Sequence, residues 1–387
     1  MKITKLFKDF FKSEKTGGFI LIASTLFSIT LTNSSLGESY TNFWQLSFQG
    51  HSIIHWINDG LMAIFFLLIG LELEREIYAG ELSEMKNAIL PVGAAIGGVL
   101  VPAIIYIAFN YGTTSQNGAG IPMATDIAFT IGMLSLLGNA VPSSLKIFLT
   151  ALAVIDDLCA IIIIALFYTN EIHFLQLGIS LGIFCILLIL NRMKVYHILP
   201  YLIGGVFMWY FMLQSGVHAT LSGVMLAFAI PFGKGDHQSI SYKIQHFLHK
   251  PVAFIIIPLF ALSNTCIVFS HNIKEMLFSN ESIGIFCGLV IGKPLGITLF
   301  SALLIKLRLA KLQFGLTLKH IFGAGLLGGI GFTMSIFITN LAFTNNNQAI
   351  NTSKVSIIIA SITASIIGLI VLKRISRNTI IAQDKPL

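Results

Sequence analysis

Stretches of about twenty apolar residues recur along this chain with little between them, and few features restrict the fold of a polypeptide more. A helix rises 1.5 Å per residue, so roughly 17–25 apolar residues cross the hydrocarbon core of a bilayer with every backbone N–H and C=O satisfied internally. Twelve such spans can be read, near residues 16–33, 52–74, 88–109, 121–139, 144–168, 173–191, 196–213, 215–232, 251–270, 282–305, 320–341 and 353–372. Only 11% of the residues are charged, about half the share of a soluble domain, which excludes a soluble fold. The short alternating segments of a membrane β-barrel are missing from the pattern. The expected architecture is therefore an all-α polytopic membrane protein of about 12 transmembrane helices, with residues 1–387 forming a single domain.

The basic residues test this count, because short cytoplasmic loops hold the excess of Lys and Arg. Of the 24 basic residues, from Lys2 through Lys234 to Lys385, only Lys274 and Lys354 fall in loops opposite the N-terminus, and Lys293 falls inside a span. One miscounted helix would invert every later loop and destroy that asymmetry. The distribution thus predicts an even number of spans with both termini cytoplasmic. The net charge of +7 follows from the same bias; it reads as orientation and contact with anionic lipid, and no nucleic-acid partner is needed. Cys159, Cys185, Cys266 and Cys287 lie in apolar spans without metal-site spacing, so they are expected to be reduced packing residues. The Lys-rich start lacks a small-residue cleavage site and is kept as the first helix rather than a signal peptide.

Two spans are interrupted where a helix would prefer Leu, Ile or Ala: the fourth at Ala124-Thr125-Asp126 after Pro122, the eleventh at Gly328-Gly329-Ile330-Gly331. Paired interruptions are the mark of inverted repeats whose discontinuous helices meet near the bilayer midplane. Gly93-x-x-x-Gly97 and Gly292-x-x-x-Gly296 echo the pairing, although Gly178 and Gly182 repeat the spacing in span six, where it signals no more than close packing. Two loops stand apart: 34–51, which holds a weakly alternating stretch with strand character, and 233–250, the most polar internal loop.

An ionisable residue inside a membrane helix costs about 2.5–3.5 kcal/mol on insertion scales and is a functional candidate by default. The candidates are Asp59, Asp126, Asp156, Asp157, Lys293 and His218. The adjacent pair in ALAVIDDLCAIIII is the sharpest signal, since nothing structural requires neighbouring carboxylates between apolar runs. Carboxylate oxygen is a hard ligand for a small hard cation, and the same group accepts a proton when burial or a like charge favours the neutral form. One group that holds either a cation or a proton is an exchanger. Successive side chains point about 100° apart, so one aspartate can face the cation while the other faces a cationic partner. Lys293 reads as the internal countercharge or as a lysine snorkelling from a helix end, and Pro294 after it suggests a local break. Facing N-termini and C-termini of broken helices carry opposite partial charges, which Asp126 and Lys293 have the signs to balance. Thr125 offers a hydroxyl to the ion or to its own helix. Asp59 reads as the lining of an outer funnel or as a helix end. Glu72, Glu74, Arg75 and Glu76 read as a solvated terminus or as a cation-gathering mouth. Gly323–Gly328 fits GxGxxG without a βαβ unit around it, and Gly233–Asp236 fits the GxGD of intramembrane aspartyl proteases but sits in the polar loop. Such a protease and a passive cation channel are the rival readings.

The strings FFLLIGLELERE, IPMATDIAFTIGMLSLLG, LKIFLTALAVIDDLCAIIIIALFYTN, SGVHATLSGV, GKPLGI and GGIGFTMSIFI resemble the NhaA family of bacterial sodium/proton antiporters, over about residues 10 to 375. The resemblance implies an electrogenic antiporter, not an enzyme, that expels Na+ or Li+ against protons, is regulated by pH, serves sodium and pH homeostasis, and needs no cofactor. It implies that Asp157 is the principal cation and proton site with Asp156 as its partner, paired with Lys293. Thr125 and Asp126 would stand at the crossing of helices four and eleven. Core helices at roughly 88–168 and 282–372 would move against panel and linking helices at roughly 16–74 and 173–270. Glu72, Glu76 and His218 match positions tied to pH control at the cytoplasmic funnel. Gln245 stands where an acidic residue is expected, Glu74 where a basic one is, and loop 34–51 is shorter than the hairpin that would support a homodimer.

Overall fold

Backbone groups without water can be satisfied only inside helices, and helices are what the apolar runs form. The computed structural model describes residues 5–138, 141–169, 172–233, 235–236, 238–269, 273–313, 315–344 and 346–383; Lys2, Lys234 and Lys385 lie outside them. Each apolar span has a helical counterpart: Lys5–Thr32, Ile53–Ala79, Met85–Asn110, Gln116–Leu136, Ser143–Phe167, Phe174–Arg192, Ile198–Gln214, Leu221–Ala229, Ile240–Asn264, Asn280–Lys306, the pair Leu318–Gly328 and Phe332–Ala342, and Asn347–Gln383. Among the described residues, 8 of these are long and apolar enough to cross a membrane, or up to 10 if each bent pair counts as one. Among the described residues the regular structure is all helical apart from the two-residue strands Ser47–Phe48 and His51–Ser52.

Several boundaries differ from the sequence reading. The eighth span, expected over 215–232, keeps only Leu221–Ala229 as helix, because Gly216 turns the chain at φ +81° and Pro231 cannot continue a helix. The polar segment 233–250 is no loop for most of its length: Ile240–Asn264 is one helical span. Loop 34–51 is mostly the helix Gly37–Gln45, its strand character confined to a hairpin whose turn residues Gln49 and Gly50 both have positive φ, as a two-residue hairpin turn requires. Pro294 does not break its helix. A π-helical stretch, Gly288–Gly292, precedes it, as Val252–Ile256 precedes Pro258; the wider turn absorbs the N–H that proline lacks.

The chain divides into two compact units, one from residues 1–20, 84–160 and 267–387, the other from 21–83 and 161–266. In the first, Met85–Asn110 and Asn280–Lys306 touch backbone to backbone: a Cβ on Gly97 would lie 2.3 Å from Gly296 O, and one on Gly296 2.0 Å from Gly97 O. Two copies of the small-residue spacing therefore form one seam, whereas Gly178 and Gly182 have nothing within 4 Å. In the second unit Ile53–Ala79 lies against Leu221–Ala229, where a Cβ on Gly223 would lie 2.1 Å from Ala63 O. Leu67, Leu71, Leu187, Tyr201, Met208 and Leu226 form its apolar core.

Candidate functional site

The first unit contains both interruptions, and they meet. The chain leaves a 3-10 half-helix, Gln116–Met123, runs extended through residues 124–126, and re-enters a helix at Ile127–Leu136. The second interruption bends Leu318–Gly328 by 51° from Phe332–Ala342. Asp126 N–H donates to Ile330 O across the gap (2.7 Å), Thr125 Oγ1 to Gly328 O (2.8 Å) and Thr130 Oγ1 to Leu327 O (3.0 Å). The carbonyls freed where one helix stops are thus satisfied by hydroxyls and an amide of the other.

Asp126, 2% exposed, caps two helices at once. Its Oδ1 accepts from Phe129 N–H (2.9 Å), and its Oδ2 accepts from Thr333 N–H (3.0 Å) and from the Thr333 hydroxyl. Each cap satisfies an orphan N–H, and the carboxylate faces the positive ends of both helix dipoles. The opposite charge sits at the opposite kind of end: Lys293 Nζ donates to Met123 O, at the C-terminus of the 3-10 half-helix. The same ammonium donates to Asp156 Oδ2 at 2.6 Å. Lys293 is 0% exposed and Asp156 1%, so desolvation is the main cost of this ion pair and the hydrogen bonds are what offset it.

Asp156 Oδ1 is buried and accepts no hydrogen bond, with the Thr125 hydroxyl and amide nearby. Asp157 follows on the same helix, 1% exposed. Two carboxylates, a hydroxyl and one ammonium are therefore gathered beside a helix crossing and sealed from bulk water. Among the described residues no group of three or more His, Cys, Asp or Glu is placed to hold a metal ion; the oxygen set around the aspartate pair is of the kind a monovalent hard cation accepts.

The remaining candidates belong to the second unit. Trp56–Leu61 is π-helical; Trp209 Nε1–H donates to the carbonyl of Asp59 (2.8 Å), whose carboxylate lies 3.2 Å from His55 Nδ1. His218 donates from Nε2 to Tyr168 O (2.8 Å) and neighbours Asp59. It also forms part of the wall of a small cavity with Phe66, Ile161, Ile164 and Val217. The sequence reading grouped His218 with Glu72 and Glu76. The structure groups it with Asp59, thirteen residues or about 20 Å of helix from Glu72. Glu72 is 7% exposed and bordered by Arg75, Glu76 and Gln245. Glu76 lies 3.7 Å from Arg75 and accepts from Glu81 N–H (3.1 Å). None of the four cysteines is in a disulfide, and Cys185 is exposed rather than packed.

Thr130, Thr333 and Ser335 were not singled out from the sequence. Ser335 Oγ donates to Ile121 O (2.7 Å), so each of the three binds across the crossing. The available signal was that hydroxyl residues flank both interruptions on apolar helices.

Comparison with known proteins fits this arrangement. A family model described as Na+/H+ antiporter 1 matches residues 8–372. A Na(+)/H(+) antiporter NhaA of Flavobacterium psychrophilum is 63% identical over 381 residues, covering 98% of this chain and 99% of that protein. One from Dechloromonas aromatica is 55% identical over 380 residues, covering 97% and 98%. Among solved structures, the sodium proton antiporter MjNhaP1 from Methanocaldococcus jannaschii shares the fold with a TM-score of 0.54 at 14% identity, over 92% of this chain and 90% of that one.

Proposed function

The chain belongs to the Na+/H+ antiporter 1 family, and from that premise we propose how it, as a multi-pass Na+/H+ antiporter, exchanges its two ions. The cation binds to Asp157 and Asp156 with Thr125 contributing oxygen, and it enters only when protons leave those carboxylates. The observation that carries this reading is two adjacent carboxylates buried beside the crossing, one of which has Oδ2 on Lys293 and Oδ1 without a hydrogen bond, so that an oxygen able to take cation or proton stands next to a second carboxylate. Asp126 and Lys293 hold the crossing against the partial charges of its broken ends.

Exchange is electrogenic, with more than one proton entering per Na+ or Li+. With two protons per cation one net charge enters per cycle, and 100 mV, worth about 2.3 kcal/mol per charge, sustains a cation gradient of roughly 50-fold. The protein serves sodium and pH homeostasis from a bacterial inner membrane with both termini cytoplasmic, as the distribution of its basic residues supports. Anionic lipid and a second copy of the chain are its proposed neighbours. Glu72 and Glu76 line a cytoplasmic funnel that tunes activity with pH, and Asp59 with His218 lines the outer one.

The test is cation-induced dequenching of a pH dye in everted vesicles, comparing Na+, Li+ and K+ across pH. Competition for one carboxylate requires the apparent affinity for Na+ to fall as the medium is acidified. A response independent of Na+, an affinity that does not change with pH, or a current unrelated to the proton gradient would overturn the proposal.

A further inference from the structure

One helix holds the 3-10 half-helix Gln116–Met123 at both ends. At the C-terminal end Met123 O accepts from Lys293. At the start, Ser115 Oγ donates to Glu281 Oε2 at 3.1 Å. Glu281 and Lys293 both belong to Asn280–Lys306. The lengths agree: 12 residues separate Glu281 from Lys293, a rise of about 18 Å as α-helix, while the 8 residues of Gln116–Met123 rise about 16 Å as 3-10 helix. Glu281 is 7% exposed, and its other oxygen accepts from Ser353 Oγ on a third segment. Tyr106 Oη donates to Ser115 O (2.8 Å), so the start of the half-helix is fixed from two sides. A carboxylate in the first turn of a helix is also favoured by the dipole, but that role needs neither serine.

We propose that Glu281 is a positioning residue for cation exchange: by holding Ser115 it sets where Met123 O meets Lys293, and hence how Lys293 divides its N–H bonds between Met123 and Asp156. This rests on the reading of Asp156, Asp157 and Lys293 as the exchange site. When the hold at Ser115 is lost, the half-helix slides along its axis and Met123 O leaves the ammonium. The whole of that charge then turns to Asp156, and the incoming cation competes with a tighter ion pair. The signature is a raised KM for Na+ with the maximal rate retained.

The experiment measures Na+/H+ exchange by the full chain in proteoliposomes at fixed pH for Glu281→Ala and Ser115→Ala, each alone and in a Lys293→Gln background, with thermal melting recorded alongside. Each single variant is expected to raise KM roughly tenfold, the scale of one lost hydrogen bond to a charged group. In the Lys293→Gln background neither adds a further change, because residues acting through one another are not additive. Should Glu281→Ala fail to fold, Ser115→Ala carries the test, since it leaves the bond from Ser353 intact. An unchanged KM in Ser115→Ala, or an effect of equal size with and without Lys293, overturns the inference and leaves the site reading standing. If Lys293→Gln by itself leaves KM and pH profile as they were, the site reading falls, and this inference with it.

Discussion

The two units solve the problem of charge in an apolar chain in different ways. In the unit that contains the crossing, the side chains of the site are buried, and several are held by residues far away in sequence: Lys293 by Asp156 and Met123, Asp126 by Thr333, Thr125 by Gly328. In the other unit the ion pairs His55–Asp59 and Arg75–Glu76 are local and stay partly exposed, although Glu72 and Glu74 are buried. His55 meets Asp59 one helical turn later, and Arg75 meets its own neighbour Glu76, with side chains 14–33% exposed. A local pair of that kind forms wherever the helix forms and contributes about 0–1 kcal/mol. A buried constellation exists only when the whole unit is assembled, so it is both more costly and more specific. Exchange chemistry is expected where the protein has accepted that cost, and adjustment of the exchange where it has not.

Removing the exchangeable charge is the most direct way to break this contrast. Asp157→Asn keeps the volume and deletes the carboxylate; it is expected to abolish vesicle exchange and the release of protons when Na+ is added to purified protein. Melting temperature should hold or rise, because a neutral amide is cheaper to bury than an anion. Proton release at unaltered Na+ affinity would move the site elsewhere. Next in size is Lys293→Ala, which strands Asp156 and should lower stability by about 3–5 kcal/mol while impairing exchange. Wild-type stability with full electrogenic exchange would contradict the role given to the ion pair.

Asp126→Ala removes two caps rather than a cation ligand. We expect a loss of about 1–3 kcal/mol in thermal stability with a smaller effect on Na+ affinity than on melting; the reverse ranking would make Asp126 part of the cation site. The smallest effect belongs to the second unit. His218→Ala should move the pH profile by less than about one unit without abolishing exchange, and Asp59→Asn should remove most of the sensitivity to that substitution. If His218→Ala abolished exchange outright, the division between an exchanging and an adjusting unit would fail.

Much of this was legible in the residues. Length and apolarity dictate helices in a bilayer, so each span could be located though several of its ends could not, and Gly, Pro and Asp mark the interruptions at 124–126 and 328–331 because they oppose a continuous helix. The candidates Thr125, Asp126, Asp156, Asp157 and Lys293 could be singled out one by one, since each is costly where it stands. Their pairing was implied only by the family resemblance, not by any local pattern of residues. Asp156 and Lys293 are 137 residues apart and Thr125 and Gly328 203 apart, and no local periodicity encodes such contacts. The reading went astray where a local signal stood alone: Pro294 looked like a break, yet a π-helical turn precedes it and the helix runs on, and segment 233–250 looked like a loop, yet most of it is helix. The resemblance put His218 with Glu72 and Glu76, and the structure sets it beside Asp59. The sequence alone determined that this chain is a bundle of membrane helices with two broken ones and a few buried charges. Only the tertiary structure decided which broken end meets which charge, because a carbonyl or N–H left open by a break is satisfied by whatever group the assembled unit brings to it.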